Sequence, residues 1–155
     1  MLNYRKANSK DVNVYYKWAN DSTVRDQSYN SKPIDFKIHV KWFHEKINDE
    51  NCEMIFFYDD KKEAVGQVTI EKSDSNNAII GISIDAKKRG KGYATKMLEM
   101  STDKFLDSNS IITIHAYIKE SNIASKKIFE KSGFQFQDML DYKNHNSYHY
   151  TKNKL

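Results

Sequence analysis

A strand, a basic glycine-rich loop and a helix follow one another between Ile84 and Ala94, and this succession constrains the fold most. An apolar run ends at Ile84, and the loop that follows carries four cations and two glycines, in the order Lys87-Lys88-Arg89-Gly90-Lys91-Gly92. A helical pattern begins at Ala94. The unpaired N–H groups of a helix's first turn and the helix dipole attract anions, and glycines let the backbone approach a ligand closely. The pattern therefore predicts a cradle for a diphosphate.

The loop does not match the two commonest nucleotide-binding motifs. A G-x-G-x-x-G motif would need a third glycine where this chain has Thr95, and no Gly-Lys-Ser or Gly-Lys-Thr ends a glycine loop. The stretch from Lys87 to Gly92 instead resembles motif A of the GNAT acetyltransferase superfamily, Q/R-x-x-G-x-G/A. In that superfamily the backbone amides of the motif hold the pyrophosphate of acetyl-CoA. The chain departs from the motif at its first position, where lysine replaces glutamine or arginine.

A second segment, from Asn122 to Phe134, strengthens this resemblance. It is similar to the superfamily's N-x-x-(A/S)-x-x-x-(Y/F)-E-K-x-G-F segment and follows the glycine loop by about 30 residues. The residues alone predict a short helix, because Asn122 is a good N-cap and Gly133 a good helix stop. With both segments in this order, the chain is identified as a member of the GNAT superfamily, and the resemblance covers nearly its whole length.

Length and composition fit a small enzyme. The 155 residues are enough for one domain with its own core, and the expected unit is residues 1–155. Cys52 is the single cysteine, and the chain has neither a signal-peptide pattern nor an apolar run of about 20 residues. We therefore expect a cytoplasmic protein with no membrane partner. The net charge of +4 fits an anionic ligand, and the scattered lysines do not predict a nucleic-acid partner.

Apolar periodicity predicts seven strands and four helices. The apolar and alternating runs predict strands at 2–7, 54–58, 63–71, 78–84, 111–118, 134–140 and 147–152. Helical patterns occur at 11–19, 34–47, 94–106 and 122–131. GNAT domains share this order. The resemblance therefore implies an α+β fold, with a central, mostly antiparallel twisted sheet of about seven strands flanked by four helices.

The resemblance assigns the cofactor site position by position. The strand that ends at Ile84 would hold the pantetheine arm, the glycine loop the pyrophosphate, and the second segment the far side of the cofactor. The residues concerned are Ile82, Ile84, Lys87, Arg89, Gly90, Lys91, Gly92, Tyr93, Ala94, Thr95, Asn122, Ser125 and Phe129. Acetyl-CoA is the expected co-substrate, and transfer to an amine would be direct. The resemblance implies neither a metal nor a covalent enzyme intermediate.

The catalytic residues differ from those of many members. Phe129 stands where many members have a tyrosine whose hydroxyl protonates the departing thiolate, and Ile79 stands where some carry a glutamate base. His115 and Tyr117 lie two residues apart in a predicted strand and therefore share one face. Tyr117 matches a position where relatives often carry glutamate, and histidine titrates near neutral pH. Both are candidate catalytic residues. The alternative is that each side chain is only packed or solvated.

The N-terminal half carries the clue to the acceptor amine. Its pattern Trp18-Ala19-Asn20-Asp21, Val24-Arg25, His39 and Trp42-Phe43 resembles bacterial GNAT enzymes that act on amino sugars, including the sugar-nucleotide N-acetyltransferases of pseudaminic acid biosynthesis. It is more loosely similar to enzymes that acetylate the N-termini of ribosomal proteins. The expected acceptor-binding residues are Arg25, Asn30 and His39, since a guanidinium pairs bidentately with phosphate. For the two tryptophans, a role as core anchors is the alternative.

The expected function is acetyl transfer to a primary amine, with a nucleotide-linked amino sugar as the expected acceptor. Protein N-terminal acetylation is one alternative. A non-catalytic acyl-CoA-binding module is another, and the missing hydroxyl at Phe129 keeps it open. The sequence leaves the oligomeric state open between monomer and homodimer, because the strand at 147–152 offers an edge for pairing but does not require a partner.

Overall fold

Seven strands and five α-helices make up the computed structural model, which describes residues 1–155. The strands are β1 (Leu2–Lys6), β2 (Cys52–Asp59), β3 (Ala64–Lys72), β4 (Asn77–Ile84), β5 (Thr113–Lys119), β6 (Gln135–Tyr142) and β7 (His145–Asn153). The helices are α1 (Val12–Ala19), α2 (Ser22–Gln27), α3 (Phe36–Ile47), α4 (Tyr93–Ser108) and α5 (Ile123–Lys131). Every predicted strand and helix is present, with ends shifted by no more than about two residues. None of the helices combines the length and the apolar character needed to cross a bilayer.

The prediction of four flanking helices is wrong, because α2 is a fifth. This helix has six mostly polar residues, too few to show an apolar period in the sequence. Its start is nevertheless marked by Asp21, whose carboxylate accepts hydrogen bonds from the N–H groups of Thr23 at 3.1 Å and Val24 at 3.2 Å. A cap of this kind is a local signal that can be read from sequence.

One sheet contains all seven strands, in the order β1-β2-β3-β4-β5-β7-β6. Only the β4–β5 pair is parallel, and the other five pairs are antiparallel. The predicted α+β fold with a mostly antiparallel sheet is therefore confirmed. Since successive side chains of a strand point to opposite faces, the sheet needs a cover on each side.

Each face of the sheet has its own core. On one face, strand residues such as Ile55 pack with Leu98 of α4 and Phe129 of α5 in a cluster of 18 buried residues. On the other face, Trp18 of α1 and Phe43 of α3 belong to a cluster of 7 buried residues. Burying one large apolar side chain contributes about 1.5–3 kcal/mol. The larger cluster, under α4 and α5, therefore supplies most of the hydrophobic stabilisation.

Strands β4 and β5 separate soon after they begin. Their pairing is limited to three residues each, Asn77–Ile79 with Thr113–His115, whereas β3 and β4 pair over seven. Beyond these residues β4 continues to Ile84 and β5 to Lys119, with no ladder between them. The result is a gap in the middle of the sheet, and the main chain of each strand is unpaired on the side that faces it.

Candidate active site

A cleft of about 1100 Å³ occupies the gap between β4 and β5. Helices α1, α2 and α3 form one wall, β4 and the loop after it form the floor, and β5 with α5 forms the other wall. The predicted site residues that line the cleft are Ile82, Ile84, Arg89, Gly90, Gly92, Tyr93, Ala94, Thr95, Asn122, Ser125, Phe129, Tyr117, Arg25 and His39. The predicted residues that lie outside it are Lys87, Lys91, His115 and Asn30.

The N-terminus of α4 is open to the cleft. Helices α2, α3 and α5 each begin with a side-chain cap, from Asp21, Asp35 and Asn122, whereas α4 follows Gly92 with no side-chain cap. Gly92 and Gly90 have φ values of 80° and 76°, in the left-handed region that favours glycine. A Cβ on either glycine would meet no protein atom within 4 Å. The first-turn N–H groups of α4 therefore face the cleft without competition, as an anion site requires.

The loop cations are less free than the sequence suggests. Lys88 Nζ donates to Asp59 Oδ2 and Glu63 Oε1, both at 2.9 Å, and these hydrogen bonds raise the pKa of the lysine. Arg89 Nη2 donates to Asp21 Oδ1 at 2.8 Å. Two of the four cations are thus paired with carboxylates from distant parts of the chain. An anion in the cleft would be held chiefly by backbone N–H groups.

Asp85 fixes the start of the glycine loop against α1. Its buried carboxylate accepts hydrogen bonds from the indole Nε1 of Trp18 at 2.9 Å and the backbone N–H of Lys87 at 3.0 Å. Lys17 Nζ lies 3.7 Å away. Burial would raise the pKa of this carboxyl, but the hydrogen bonds and the nearby lysines outweigh it and hold the pKa below its ordinary value. Sequence reasoning missed Asp85, because its main partner lies 67 residues away.

Two polar residues of the cleft floor were also missed. Gln67 of β3 donates through Nε2 to Ser83 Oγ of β4 at 3.2 Å, and Thr69 donates to Gln67 Oε1 at 2.6 Å. Gln67 and Ser83 both line the cleft. They are opposite each other in the β3–β4 register, which no local sequence signal specifies. Gln67 and Ser83 therefore offer a ligand hydrogen-bonding groups on the floor of the cleft.

The wall formed by α5 is partly apolar and partly basic. Asn122 Oδ1 accepts from the N–H of Ser125 at 3.2 Å, so Asn122 caps its own helix as the sequence predicts. Phe129 is 4% exposed and packs edge-on to Phe134, with ring centroids 5.0 Å apart. Three cleft lysines on this side were not predicted to bind a ligand, namely Lys119, Lys127 and Lys131.

The two candidate catalytic residues of β5 are placed differently. His115 is outside the cleft, and both ring nitrogens are engaged, Nδ1 with His149 Nε2 at 2.8 Å and Nε2 with Asn77 Oδ1 at 2.7 Å. His115 therefore has no free nitrogen with which to act as a base on a ligand. Tyr117 lines the cleft, and its ring is parallel to that of Tyr142, with centroids 4.1 Å apart. Burial raises the pKa of Tyr117 above its ordinary value, so its hydroxyl stays protonated at neutral pH.

The predicted acceptor-binding residues are only partly in place. Arg25 lines the cleft, but its Nη1 donates to the backbone carbonyls of Asn30 at 2.8 Å and Lys32 at 3.1 Å. Its Nε is buried without a partner, and burial lowers the pKa of the guanidinium. His39 is 2% exposed and donates through Nε2 to the carbonyl of Val12, so its main role is to pack α3 on α1. Asn30 is exposed outside the cleft and contributes its carbonyl to the Arg25 contact.

The two tryptophans have different environments. Trp18 is buried and stacks on Phe56, with ring centroids 5.8 Å apart and an interplanar angle of 27°, which fits a core anchor. Trp42 is 42% exposed and, with Ile38, presents an apolar surface to the cleft. The core-anchor alternative therefore suits Trp18 but not Trp42.

Comparisons with solved structures agree with this architecture. A spermidine N-acetyltransferase from Vibrio cholerae, solved with CoA and spermine, superposes with a TM-score of 0.87 at 16% identity, covering 99% of this chain and 95% of that chain. The aminoglycoside acetyltransferase AAC(6′)-Ib, solved with ribostamycin and coenzyme A, gives a TM-score of 0.86 at 15% identity, covering 99% and 93%. These similarities establish the fold.

Sequence comparison gives a relative and a family. An uncharacterised protein of Methanocaldococcus jannaschii is 25% identical over 137 residues, which are 84% of this chain. The chain spans about a quarter, 27%, of the length of that relative. Residues 2–135 match the model of the acetyltransferase (GNAT) domain. Because this match covers most of the chain, the protein belongs to the acetyltransferase (GNAT) domain family.

Proposed function

We propose that the protein transfers the acetyl group of acetyl-CoA to a primary amine. The observation that carries this proposal is the cleft in the split sheet, which leads from the unpaired edge of β4 to the uncapped N-terminus of α4. A long molecule that carries amide groups and a pyrophosphate matches both ends of this cleft. Its amides can pair with the free edge of β4, and its pyrophosphate can bind the N-terminus of α4. Family membership supports the same activity, and the similar V. cholerae and AAC(6′)-Ib structures contain CoA.

The residues of the cleft suit direct transfer. Backbone N–H groups from Gly90 to Thr95 would bind the pyrophosphate, and the main chain around Ile82 and Ile84 would hold the pantetheine arm and meet the developing oxyanion. The amine nitrogen attacks the thioester carbonyl carbon, a C–N bond forms, and the C–S bond breaks. The amine gives up its proton to water, because the cleft lining has no Asp or Glu and its one histidine, His39, is 2% exposed and packs α3 on α1. Tyr117, the tyrosine of β5 that lines the cleft, is the group we assign to protonate the departing thiolate.

A calorimetric titration combined with a turnover assay tests this proposal. CoA should bind the isolated protein, and acetyl-CoA should be consumed only when an amine acceptor is present. Binding of CoA without turnover on any amine would favour the non-catalytic acyl-CoA module. Absence of CoA binding would overturn both assignments.

Charge in the cleft favours an anionic acceptor. The charged side chains that line it are all cations. Lys88 and Arg89 are paired with carboxylates, which leaves Arg25, Lys119, Lys127 and Lys131 to face a ligand. Polycationic amines such as spermine, which one similar structure contains, would find no carboxylate there. A phosphate-bearing amine finds complementary charge. We therefore propose a nucleotide-linked or otherwise phosphorylated amino sugar as the acceptor. We also propose that the protein acts in the cytoplasm and has no nucleic-acid partner.

Replacing Arg25 should weaken acceptor binding selectively. Arg25→Ala removes one charge-assisted contact to phosphate, which is worth about 1.5–3 kcal/mol. Steady-state kinetics should show the acceptor KM raised by about one to two orders of magnitude. The KM for acetyl-CoA should change little. Lys32→Ala is the control, because it removes a neighbouring cation that does not line the cleft.

Equal acceptor KM values for wild type and Arg25→Ala on the best phosphate-bearing amino sugar would contradict this assignment. If the protein acetylates a ribosomal-protein N-terminal peptide and no amino sugar, the acceptor is a protein N-terminus and the amino-sugar assignment is wrong.

Restoring a hydroxyl at Phe129 should not impair the reaction. Phe129→Tyr places a phenol where many family members carry one, in a ring position that lines the cleft. We expect unchanged CoA affinity and a kcat equal to the wild-type value or modestly raised. Phe134→Tyr adds the same hydroxyl to the adjacent buried ring outside the cleft and controls for the cost of a buried polar group. A large loss of kcat in Phe129→Tyr alone would mean that the apolar ring shapes the site.

A further inference from the structure

A chain of hydrogen bonds crosses four strands on the face of the sheet opposite α4 and α5. Asn77 Oδ1 of β4 lies 2.7 Å from His115 Nε2 of β5, His115 Nδ1 lies 2.8 Å from His149 Nε2 of β7, and His149 Nδ1 lies 3.0 Å from Asp138 Oδ1 of β6. The two imidazole planes are within 9° of each other. The proposed reaction uses none of these groups.

The two ends of this hydrogen-bond chain, Asn77 and Asp138, fix where its protons lie. The amide nitrogen of Asn77 donates to Asp74 at 3.1 and 3.2 Å, so its oxygen faces His115 and can only accept. His115 Nε2 therefore carries a proton. Asp138 is a carboxylate with 61% side-chain exposure, and it also can only accept, so His149 Nδ1 carries a proton. The N···N contact between the rings holds one proton more. Three protons on four nitrogens give the pair one positive charge.

The surroundings of the two rings differ. His149 Nδ1 lies 3.0 Å from the Asp138 carboxylate, whereas burial and the neighbouring His149 lower the pKa of His115, with Asp74 acting in the opposite direction. Tyr117 is the other titratable group against the pair, and its ring is parallel to that of His149 with centroids 4.8 Å apart. The hydrogen bonds therefore place one proton on His115 Nε2, one on His149 Nδ1 and one between the two rings.

The position of this hydrogen-bond chain in the sheet has a structural consequence. Strands β4 and β5 pair only over Asn77–Ile79 and Thr113–His115, so the cleft opens directly after these residues. The contact from His115 to Asn77 is the side-chain hydrogen bond that joins these two strands. The His149 contact then ties β5 to β7, which is its partner along seven residue pairs.

We propose that His115 and His149 are positioning residues that share one positive charge and clamp the two halves of the sheet at the apex of the CoA-binding cleft. The clamp holds β5, with Tyr117 and the start of α5 beyond it, at a fixed separation from β4. Neither histidine touches a ligand. The part of this proposal that concerns CoA rests on the proposed function, whereas the proton arrangement does not.

Two pH changes should open the clamp. A fourth proton, added on His115 Nδ1 in acid, leaves two N–H groups facing each other and breaks the contact between the rings. Loss of the shared proton at higher pH removes one N–H donor. Either the contact between the two rings or the hydrogen bond to Asp138 is then lost. CoA affinity of the wild type should therefore pass through a maximum with pH and fall on the acid side as His115 becomes protonated.

Imidazole nitrogen NMR reads the proton arrangement directly. In the wild-type protein at pH 7, His115 Nε2 and His149 Nδ1 should both be protonated, and the two nitrogens that face each other should share one proton. The exposed His44 provides an internal reference on α3. Two neutral rings at this pH would overturn the shared charge.

CoA titrations of variants test the clamp. His149→Ala should weaken CoA binding by about 2- to 30-fold, the range for residues that act on a site through packed neighbours. His149→Gln should recover most of this loss at neutral pH, because its amide N–H can still donate to His115 Nδ1, and it should change the acid limb of the pH profile. His44→Gln should match the wild type in affinity and pH profile.

The outcomes separate the two proposals. If His149→Ala binds CoA as tightly as the wild type, or if His149→Gln is no better than His149→Ala, the clamp is overturned. If the wild type itself binds no CoA, the proposed function fails, and the NMR measurement still decides the proton arrangement.

Discussion

Gly92→Val should weaken CoA binding by about 100- to 10,000-fold, the largest effect that we expect from a single cleft residue. A side chain at this position meets no protein atom within 4 Å and would project into the space that we assign to the pyrophosphate. It would prevent the N–H groups at the start of α4 from reaching the anion. Losing two charge-assisted hydrogen bonds of about 1.5–3 kcal/mol each corresponds to the stated factor. Isothermal titration with CoA measures it.

The control for this variant is Gly133→Val. Gly133 also has a positive φ, 95°, and a Cβ there would meet only the end of the Lys152 side chain, at 3.5 Å. It lies outside the cleft. Both variants carry the same kind of left-handed strain, about 1–2 kcal/mol or more for a β-branched residue. Comparable CoA affinity in the two variants would place the pyrophosphate site elsewhere.

Asp85→Ala should lower the free energy of unfolding by about 3–5 kcal/mol, because two hydrogen bonds to a buried carboxylate are lost together. The variant leaves the indole N–H of Trp18 buried without a partner and releases the backbone N–H of Lys87. Asp85→Asn should lose less, since its amide oxygen still accepts from Trp18. Asp60→Ala removes an exposed carboxylate and should cost less than about 1 kcal/mol. Urea denaturation of the three variants gives the comparison.

The same carboxylate should contribute to the pH dependence of stability. The pKa of Asp85 is lower in the folded chain than in the unfolded chain, where it is about 4. Its stabilising contribution is therefore fully present above about pH 4 and is lost as the pH falls through the folded value. The difference in unfolding free energy between wild type and Asp85→Asn should shrink over that range. A difference that stays constant down to pH 2 would contradict an ionised Asp85.

Local patterns were sufficient to predict most of the fold. Alternating apolar residues located β4, and the two glycines located the start of α4 to within one residue. Helix α2 escaped because its polar segment from Ser22 to Gln27 has no apolar period, although the cap at Asp21 was visible. Short-range signals of this kind need no knowledge of the tertiary structure.

The candidate site was predicted less completely, because much of it depends on contacts between distant segments. The pairing of Lys88 with Asp59 spans 29 residues and that of Arg89 with Asp21 spans 68, so the charge left for a ligand was overestimated. His115 seemed free to act as a base until the sheet register placed His149 beside it. Such pairings follow from the order of strands, which local sequence patterns do not specify.

The early separation of β4 from β5 also bears on how the protein survives in a cell. Both edges of the gap exist only in the folded chain, so a molecule that fills it binds the native state and not the unfolded one. By mass action, a ligand present at 100 times its Kd adds about 2.7 kcal/mol to the free energy of unfolding. With acetyl-CoA as that ligand, the supply of acetyl groups would set how well the chain resists heat and proteases, and so how long each molecule lasts.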